Sequence, residues 1–598
     1  MHTVGSAGAP PAPGAAAGAD VARQQGRDRW RLVVPVVLAA LLLPLVVGVV
    51  RAVLDDPTAP SGDVALIELR VRDVGSKTPL LGSYGRYGFN HPGPLLFYVQ
   101  ALPYRLLGAR FAGLEVGTLA LGALAVAAIA WVTLRRGGPL LLLWAGLLVA
   151  VLVHAVGPAW LANPWEPHGL LLPCAALVVL AFDAAAGRWW TLPIVAGVAS
   201  LLGQAQATLL PFAVALGAVA TAGVAARVVR RPDDRSGALR ALAVAAVLTG
   251  LLWAPTVVEQ LTREPGNLIA MARSRNRPEP VLGLVDGFRL VAIQLGLRGP
   301  WLGWSTPLDG FGLTVDPGGA PMVPAGAVAL LLALVVAARR RLQAGVLAAA
   351  SALAALVAAL SSSRLLGPVF IWIPQWTRVL GFACWLAVGW VAASALPAAV
   401  RHRLRAPVAA VLLVGAVGLS LVNLVEAASY DRPDDPIGRV VRSLTREAAP
   451  VITALEDPVL ASTTAEPAVV FGSAVGLESL VLTLERSGAE TVVAPELADH
   501  FGPERAHPER ATAELRLTLE SEPVPEGFRI VARADPLTPA QRKERGRLLE
   551  SIGLDEDAVT EDVQRELDRD PSIRPVFERL AAHTDLPPFV LLLADRRP

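Results

Sequence analysis

The chain has 598 residues, 54% of them hydrophobic and 17% charged, with a formal net charge of +2. A soluble globular chain carries about 25% charged residues, so this balance excludes an ordinary water-soluble enzyme. Basic residues scattered between apolar runs, rather than gathered on one face, point away from nucleic acid.

Residues 1–20 are mostly Gly, Ala and Pro without periodicity. They cannot bury enough apolar surface to fold, and residues 1–31 read as a disordered cytoplasmic tail. The first apolar run, 32–54, is too long for a signal-peptide core and has no clear cleavage site, so it reads as a retained anchor. Further runs follow at 112–134, 138–157, 169–186, 190–204, 208–226, 238–258, 322–338, 344–361, 376–398 and 407–426. Most have the length that crosses a hydrocarbon core as a helix, giving about eleven spans over residues 32–426. With these spans, Arg23, Arg27, Arg29 and Arg31, then Arg135 and Arg136, Arg188, Arg227 to Arg235, Arg339 to Arg341 and Arg401 to Arg405 all fall on one side. The positive-inside rule makes that side cytoplasmic and the N-terminus with it. Cys174 and Cys384 both fall inside spans and read as small buried apolar residues.

The loop after the first span, 55–111, is dense in polar groups. Asp63 reads as a helix N-cap, and Val64, Ile67, Val71 and Val74 recur at helical spacing. This predicts a short helix on the membrane surface, with Glu68 and Arg72 four apart and able to pair. Prolines 92 and 94 stiffen a His91-Pro92-Gly93-Pro94 turn that opens an amphipathic segment from Leu95 to Leu107. The next outer loop holds Asn163, Trp165, Glu166 and His168, and Gln204 and Gln206 flank the one after. A long loop, 259–321, carries Gln260, Arg263, Arg273, Arg275 and Arg277. Arginines on that side break the positive-inside trend, and a bound phosphate would explain them because guanidinium matches phosphate geometry. Arg364 and Arg378 lie near the outer ends of the ninth and tenth spans.

Residues 427–598 carry 20 Arg and Lys against 32 Asp and Glu, a net of −12, whereas the rest carries 33 against 19, a net of +14. The spans deliver this acidic tail to the outer face. An amphipathic stretch, 437–455, precedes strand-like runs at 459–462, 468–471, 490–494, 529–533 and 589–594 and helical runs at 477–487 and 537–579. That alternation predicts a small extracytoplasmic α/β domain with a mixed sheet. Gly472, Ser473 and Gly476 read as a tight strand-to-helix turn, and no nucleophile–base set is evident in the tail.

The ordered set Gly62-Asp63, the Tyr84 to Phe89 stretch and His91-Pro92-Gly93-Pro94-Leu95 resembles the first outer loop of membrane glycosyltransferases of the C-type (GT-C) fold, the group of bacterial aminoarabinose transferases and protein O-mannosyltransferases. The family pattern has an Asp-Glu pair, whereas here Val64 follows Asp63 and the nearest acid is Glu68. The resemblance implies a polytopic α-helical membrane protein that moves a sugar from a polyprenyl-phosphate donor to a glycan, lipid or protein acceptor at the outer face of the cell membrane. It implies Asp63 as catalytic acid or base, with Glu68 as a second acid. The substrate contacts expected around them are Tyr87, Asn90, His91, Glu166, His168, Gln260, Arg273, Arg275 and Arg378. No cofactor is evident in the sequence, although Asp63 and Glu166 could hold a divalent cation. A composition rich in Ala, Arg and Gly and poor in Lys suggests a bacterial source. The other classes are a transporter or lipid flippase, for which no internal repeat is seen, and a non-catalytic scaffold of the same fold.

Overall fold

The computed structural model describes residues 13–55, 59–85, 87–274, 276–308, 314–321, 324–430, 435–455, 458–463, 476–555, 558, 560–580 and 588–596. Seven helical stretches are long and apolar enough to cross a membrane: Leu32–Leu54, Ala112–Val156, Ala207–Arg230, Pro232–Thr262, Ala344–Ser362, Gln375–Ala395 and Ala398–Ser429. Shorter apolar helices, Leu171–Ala185 and Trp189–Ala205, fall on two further expected spans, and Ala325–Arg340 on a third. The 45-residue helix Ala112–Val156 covers two expected spans and is broken between them at Gly138, with φ 70° and ψ −167°. Pro139 follows, where it can start a new helical segment but cannot continue the old hydrogen-bond ladder. The last helix begins at Ala398, earlier than the apolar run it contains, because its first turns are basic and exposed.

Leu171–Ala185 is buried almost all round and forms the middle of the bundle's core, with Phe182, Phe212, Phe382 and Trp376 packed in the same cluster. A helix apolar on every side belongs in such a place. Outer helices keep apolar side chains such as Val247, Leu251 and Val414 exposed, as a bilayer-facing surface requires. Arginine-bearing turns sit at one end of the helices: Arg136 and Arg188 share Asp183, and Arg188 lies over the rings of Trp131 and Trp190. The loops at the other end meet the C-terminal region.

That region holds a five-stranded mixed sheet in the order Thr491–Val492, Val459–Thr463, Ala513–Leu519, Phe589–Asp595, Arg529–Ala534. The first three run parallel, and the last three pair antiparallel. The strand Ala513–Leu519 was not among those expected. Its sequence AELRLTL nevertheless alternates, with Ala513, Leu515 and Leu517 buried, which is the period of a half-buried strand. The expected strand at 468–471, like Gly472 and Ser473, lies outside the described residues.

The helix Gly62–Asp73 does not lie bare on a surface; it is sandwiched. Ile67 and Val71 pack with Phe97, Tyr104 and Leu114 on the bundle side, which is the stripe expected from its spacing. Ala65, Leu66 and Leu69, on another face, enter the core of the C-terminal region with Val441, Leu480 and Leu515. Each fully buried Leu, Ile or Val contributes roughly 1.5–3 kcal/mol, so the loop helix is a shared element of both cores. The helix Pro436–Glu447 comes so close to this loop that a Cβ on Gly438 would lie 1.9 Å from the carbonyl oxygen of Ala59; only glycine fits there.

Candidate active site

Asp63 sits in the first turn of the Gly62–Asp73 helix, and Ser61 rather than Asp63 holds the N-cap position. A carboxylate there is favoured by the N-terminal end of the helix dipole. A hairpin pairs Tyr84–Gly85 with Phe89–Asn90. Two adjacent residues of this hairpin each hold one acid: Tyr84 hydrogen-bonds Asp63, and the Ser83 hydroxyl donates to Glu166 Oε1. Glu166 opens the short helix Glu166–Gly169 and is 2% exposed.

Asp63, Ser83, Tyr84 and Glu166 line a cavity of about 1480 Å³ at the end of the bundle that carries the C-terminal region. Its lining is aromatic, with Tyr87, Phe89, Trp165, Phe370 and Trp372, and aliphatic, with Val357, Leu360, Leu365 and Ile373. Arg364 is the one arginine or lysine among the described lining residues. A mostly apolar hollow with a few convergent polar groups is the usual form of a small-molecule site.

Burial disfavours charge on both acids. Asp63 is pushed above the usual carboxylate range by loss of water, with the Tyr84 hydrogen bond working against the rise. Glu166 is pushed up to about 7, first by burial and further by the charge of Asp63, while Ser83 opposes the shift. Two carboxyls whose environments differ can take different protonation states at neutral pH, which is the condition for assigning a base and an acid. His91 also lines the cavity. Its Nδ1 accepts from the Ala207 amide at 3.2 Å, and burial pushes it down to about 4, so it is a neutral imidazole rather than a cation for phosphate. The same turn is fixed by Thr256 Oγ1, which donates to the Pro92 carbonyl at 2.8 Å, and by the Gly93 amide on the Gln204 carbonyl.

Of the expected site residues, Asp63, Tyr87, His91 and Glu166 come together around this cavity. The others are placed elsewhere. Glu68 is fully buried and does not pair with Arg72; it takes Arg486 and the Tyr104 hydroxyl as partners, while Arg72 turns to the Glu485 carbonyl. The helix packs against the C-terminal region, and a cation from there reaches Glu68 where the neighbour four residues on does not. Asn90 spends its amide on the Gly82 and Asp499 carbonyls. Gln260 accepts from the Leu268 amide at the start of the helix Asn267–Ser274. Unpaired amides at a helix start need such acceptors. Arg273 is exposed and off the cavity, and Arg275 lies outside the described residues. His168 stacks on Trp160 at 3.9 Å, and Arg378 lies over the same ring and donates to the Ala155 carbonyl. These two sit behind Trp165, which forms part of the wall. Sequence reasoning missed Ser83 and Glu478, and it passed over Tyr84 as a residue in its own right. Among the described residues, no group of three or more His, Cys, Asp or Glu is arranged to hold a metal ion.

The raised Glu166 predicts a pH effect on stability. A carboxyl whose folded pKa exceeds its unfolded value binds more protons when folded, so stability falls as pH rises from about 4.5 to about 7. Glu166→Gln removes that loss. Thermal unfolding of the purified protein should show a wild-type decline over this window, at most about 3 kcal/mol, that is flatter in the variant. Equal slopes in the two proteins would refute the assignment.

No protein-family model matches the chain, and no curated protein matches it. Among solved structures, it is similar to ArnT from Cupriavidus metallidurans bound to undecaprenyl phosphate, at 14% identity and a TM-score of 0.48, over 84% of this chain and 96% of that one. The apo state of the same ArnT gives 14% identity and a TM-score of 0.46, over 83% and 94%.

Proposed function

We propose that the chain is a membrane glycosyltransferase that moves a sugar from a polyprenyl-phosphate donor to a hydroxyl-bearing glycan, lipid or protein acceptor. The observation that carries this reading is the cavity in which Asp63, held by Tyr84, and Glu166, held by Ser83, face an aromatic and aliphatic wall. The acceptor oxygen attacks the anomeric carbon and passes its proton to Asp63. The bond from that carbon to the phosphate oxygen breaks, and the polyprenyl phosphate leaves with the electron pair. A base must lie within a hydrogen bond of the proton it takes, and its pKa should approach the working pH; burial moves Asp63 that way. Arg364, which lines the cavity, is the cation for the leaving phosphate on this reading, because developing charge there needs one. Arg378 and His168 support the wall through Trp160 and Trp165. On this reading the cavity opens at the outer face and the arginine-rich turns are cytoplasmic, as the positive-inside rule requires.

The test is transfer by purified protein in lipid nanodiscs, given labelled pentoses and hexoses on undecaprenyl phosphate and a lipid extract as acceptor. Labelled product with release of undecaprenyl phosphate is expected. No transfer from any donor would sink the reading. A parallel series with EDTA decides whether the Asp63–Glu166 pair works through a divalent cation.

A further inference from the structure

The helix Leu477–Arg486 of the C-terminal region lies along Gly62–Asp73 in the same direction. At its end, Arg486 pairs with Glu68, and Glu485 shares Arg505 with Asp73. At its start stands Glu478, in the first turn after Gly476, whose φ of +86° turns the chain into the helix. This register sets Glu478 beside Asp63, at the start of the other helix. Glu478 is 3% exposed, and its Oε2 meets no hydrogen-bond partner among the described residues. The neighbouring helices carry charges of their own, Glu68, Arg70, Arg72 and Asp73 on one and Arg439, Arg442, Arg446 and Glu447 on Pro436–Glu447. The charge that acts on Glu478 is that of Asp63, and Glu478 in turn acts on Tyr84, the residue that hydrogen-bonds Asp63. His500 stacks on Tyr84 at 3.8 Å and is held neutral by burial, so it supplies no counter-charge. A buried carboxylate with no cation is expensive.

We propose that Glu478 is a positioning residue for Asp63: a carboxyl supplied by the C-terminal region that backs the Asp63–Tyr84 hydrogen bond and, uncharged, leaves Asp63 the sole carboxylate at that spot. The C-terminal region is then part of the active site rather than a cover for it. This rests on the reading of Asp63 as the base. It accounts for a titratable group that the transfer step does not use and that the outer loop alone cannot provide. Burial, then the Asp63 charge, push Glu478 up to about 7. Near that pH it becomes a second carboxylate behind the first, on the side of a cavity proposed to receive an anionic donor.

Infrared titration of the purified wild type, Glu478→Gln and Asp63→Asn tests the proposal without relying on turnover. The protonated-carboxyl band should lose two components near neutral pH in the wild type, from Glu166 and Glu478, and only one in Glu478→Gln. In Asp63→Asn the Glu478 component should lose its proton at lower pH, because the repelling charge is gone. Two components that both survive Glu478→Gln, or a Glu478 component unmoved by Asp63→Asn, overturn the proposal. Transfer adds a second reading. The high-pH limb of kcat/KM should contain two ionisations in the wild type, from Glu166 and Glu478, one in Glu478→Gln, and two again in Glu478→Asp. A merely structural Glu478 would lower activity without changing the shape of that limb. If the wild type transfers no sugar, the proposed function fails, while the infrared arms still decide the role of Glu478.

Discussion

Asp63→Asn is expected to lower kcat for sugar transfer by about 10²–10⁴-fold while leaving the fold intact. Asn has the same shape, and its amide oxygen can still accept from Tyr84, so the Gly62–Asp73 helix and the hairpin keep their contact. It cannot take a proton from an attacking hydroxyl. Donor binding involves the wall and the phosphate, so KM for the donor should change far less than kcat. The stability outcome separates this from damage. Asp63 is raised in the folded protein, so its ionisation opposes folding at pH values above its folded pKa. Removing the charge should leave the melting temperature at neutral pH equal to or above that of the wild type, the usual exchange of stability for function at such a site. Steady-state kinetics and thermal unfolding on the same preparations check both parts. Wild-type turnover in Asp63→Asn would end the mechanism, and a large fall in melting temperature would make the residue structural.

The bundle was legible because each span is a local apolar run, and the run predicts a helix without knowledge of any partner. The acids at one end were legible for a related reason. Asp63 and His91 lie in one loop and Glu166 in the next outer one, and the alternation of spans carries both loops to the same side, so topology alone brings them near one another. What could not be read was pairing across long stretches of chain. Glu68 had Arg72 within reach in sequence, yet its partner is Arg486, 418 residues away. Asp73 finds Arg505, and Tyr84 stacks on His500. No periodicity encodes such contacts. Local polar residues misled in the opposite direction. Gln260 and Asn90 satisfy backbone groups, because every buried amide and carbonyl needs a partner. The strand Ala513–Leu519 did have a readable signal in its alternation, and it passed unnoticed beside the more apolar runs around it.

Arg505→Ala should have the largest effect on stability of any single change considered, about 3–5 kcal/mol. Arg505 is fully buried and lies between the two helices that place Asp63 and Glu478. Its Nη1 and Nη2 donate to Asp73 at 2.8 and 2.7 Å, its Nε and Nη2 to Glu485 at 2.6 and 2.8 Å, and its Nη1 also to the Phe501 carbonyl at 2.8 Å. The planar fork of guanidinium donors suits two bidentate carboxylates at once, and a lysine in its place could not make both. Alanine leaves Asp73 and Glu485 buried without their shared cation, with Arg70, 3.2 Å from Asp73, and Lys77, 3.7 Å from Glu485, as partial compensation. Burial raises Glu485, but the hydrogen bond and charge of Arg505 outweigh it and hold the carboxyl below its ordinary value. Its stabilisation is therefore present above the unfolded carboxylate range and lost as pH falls through the folded pKa. Arg505→Ala should accordingly be much less stable than wild type at pH 7, and less sensitive to acid. Breaking the pair differs from replacing it. A triple variant, Asp73→Asn, Glu485→Gln and Arg505→Met, should recover much of the loss because the two buried carboxylates go together with their cation, while Arg70 keeps Glu504 at 4.0 Å. Thermal unfolding in detergent across pH, with limited proteolysis of the C-terminal region, reads all three proteins. Transfer activity should fall with the single variant, because Asp73 ends the helix that Asp63 begins. An Arg505→Ala protein that melts like wild type, or a triple variant no better than the single one, would show that this buried cluster does not fasten the C-terminal region over the cavity.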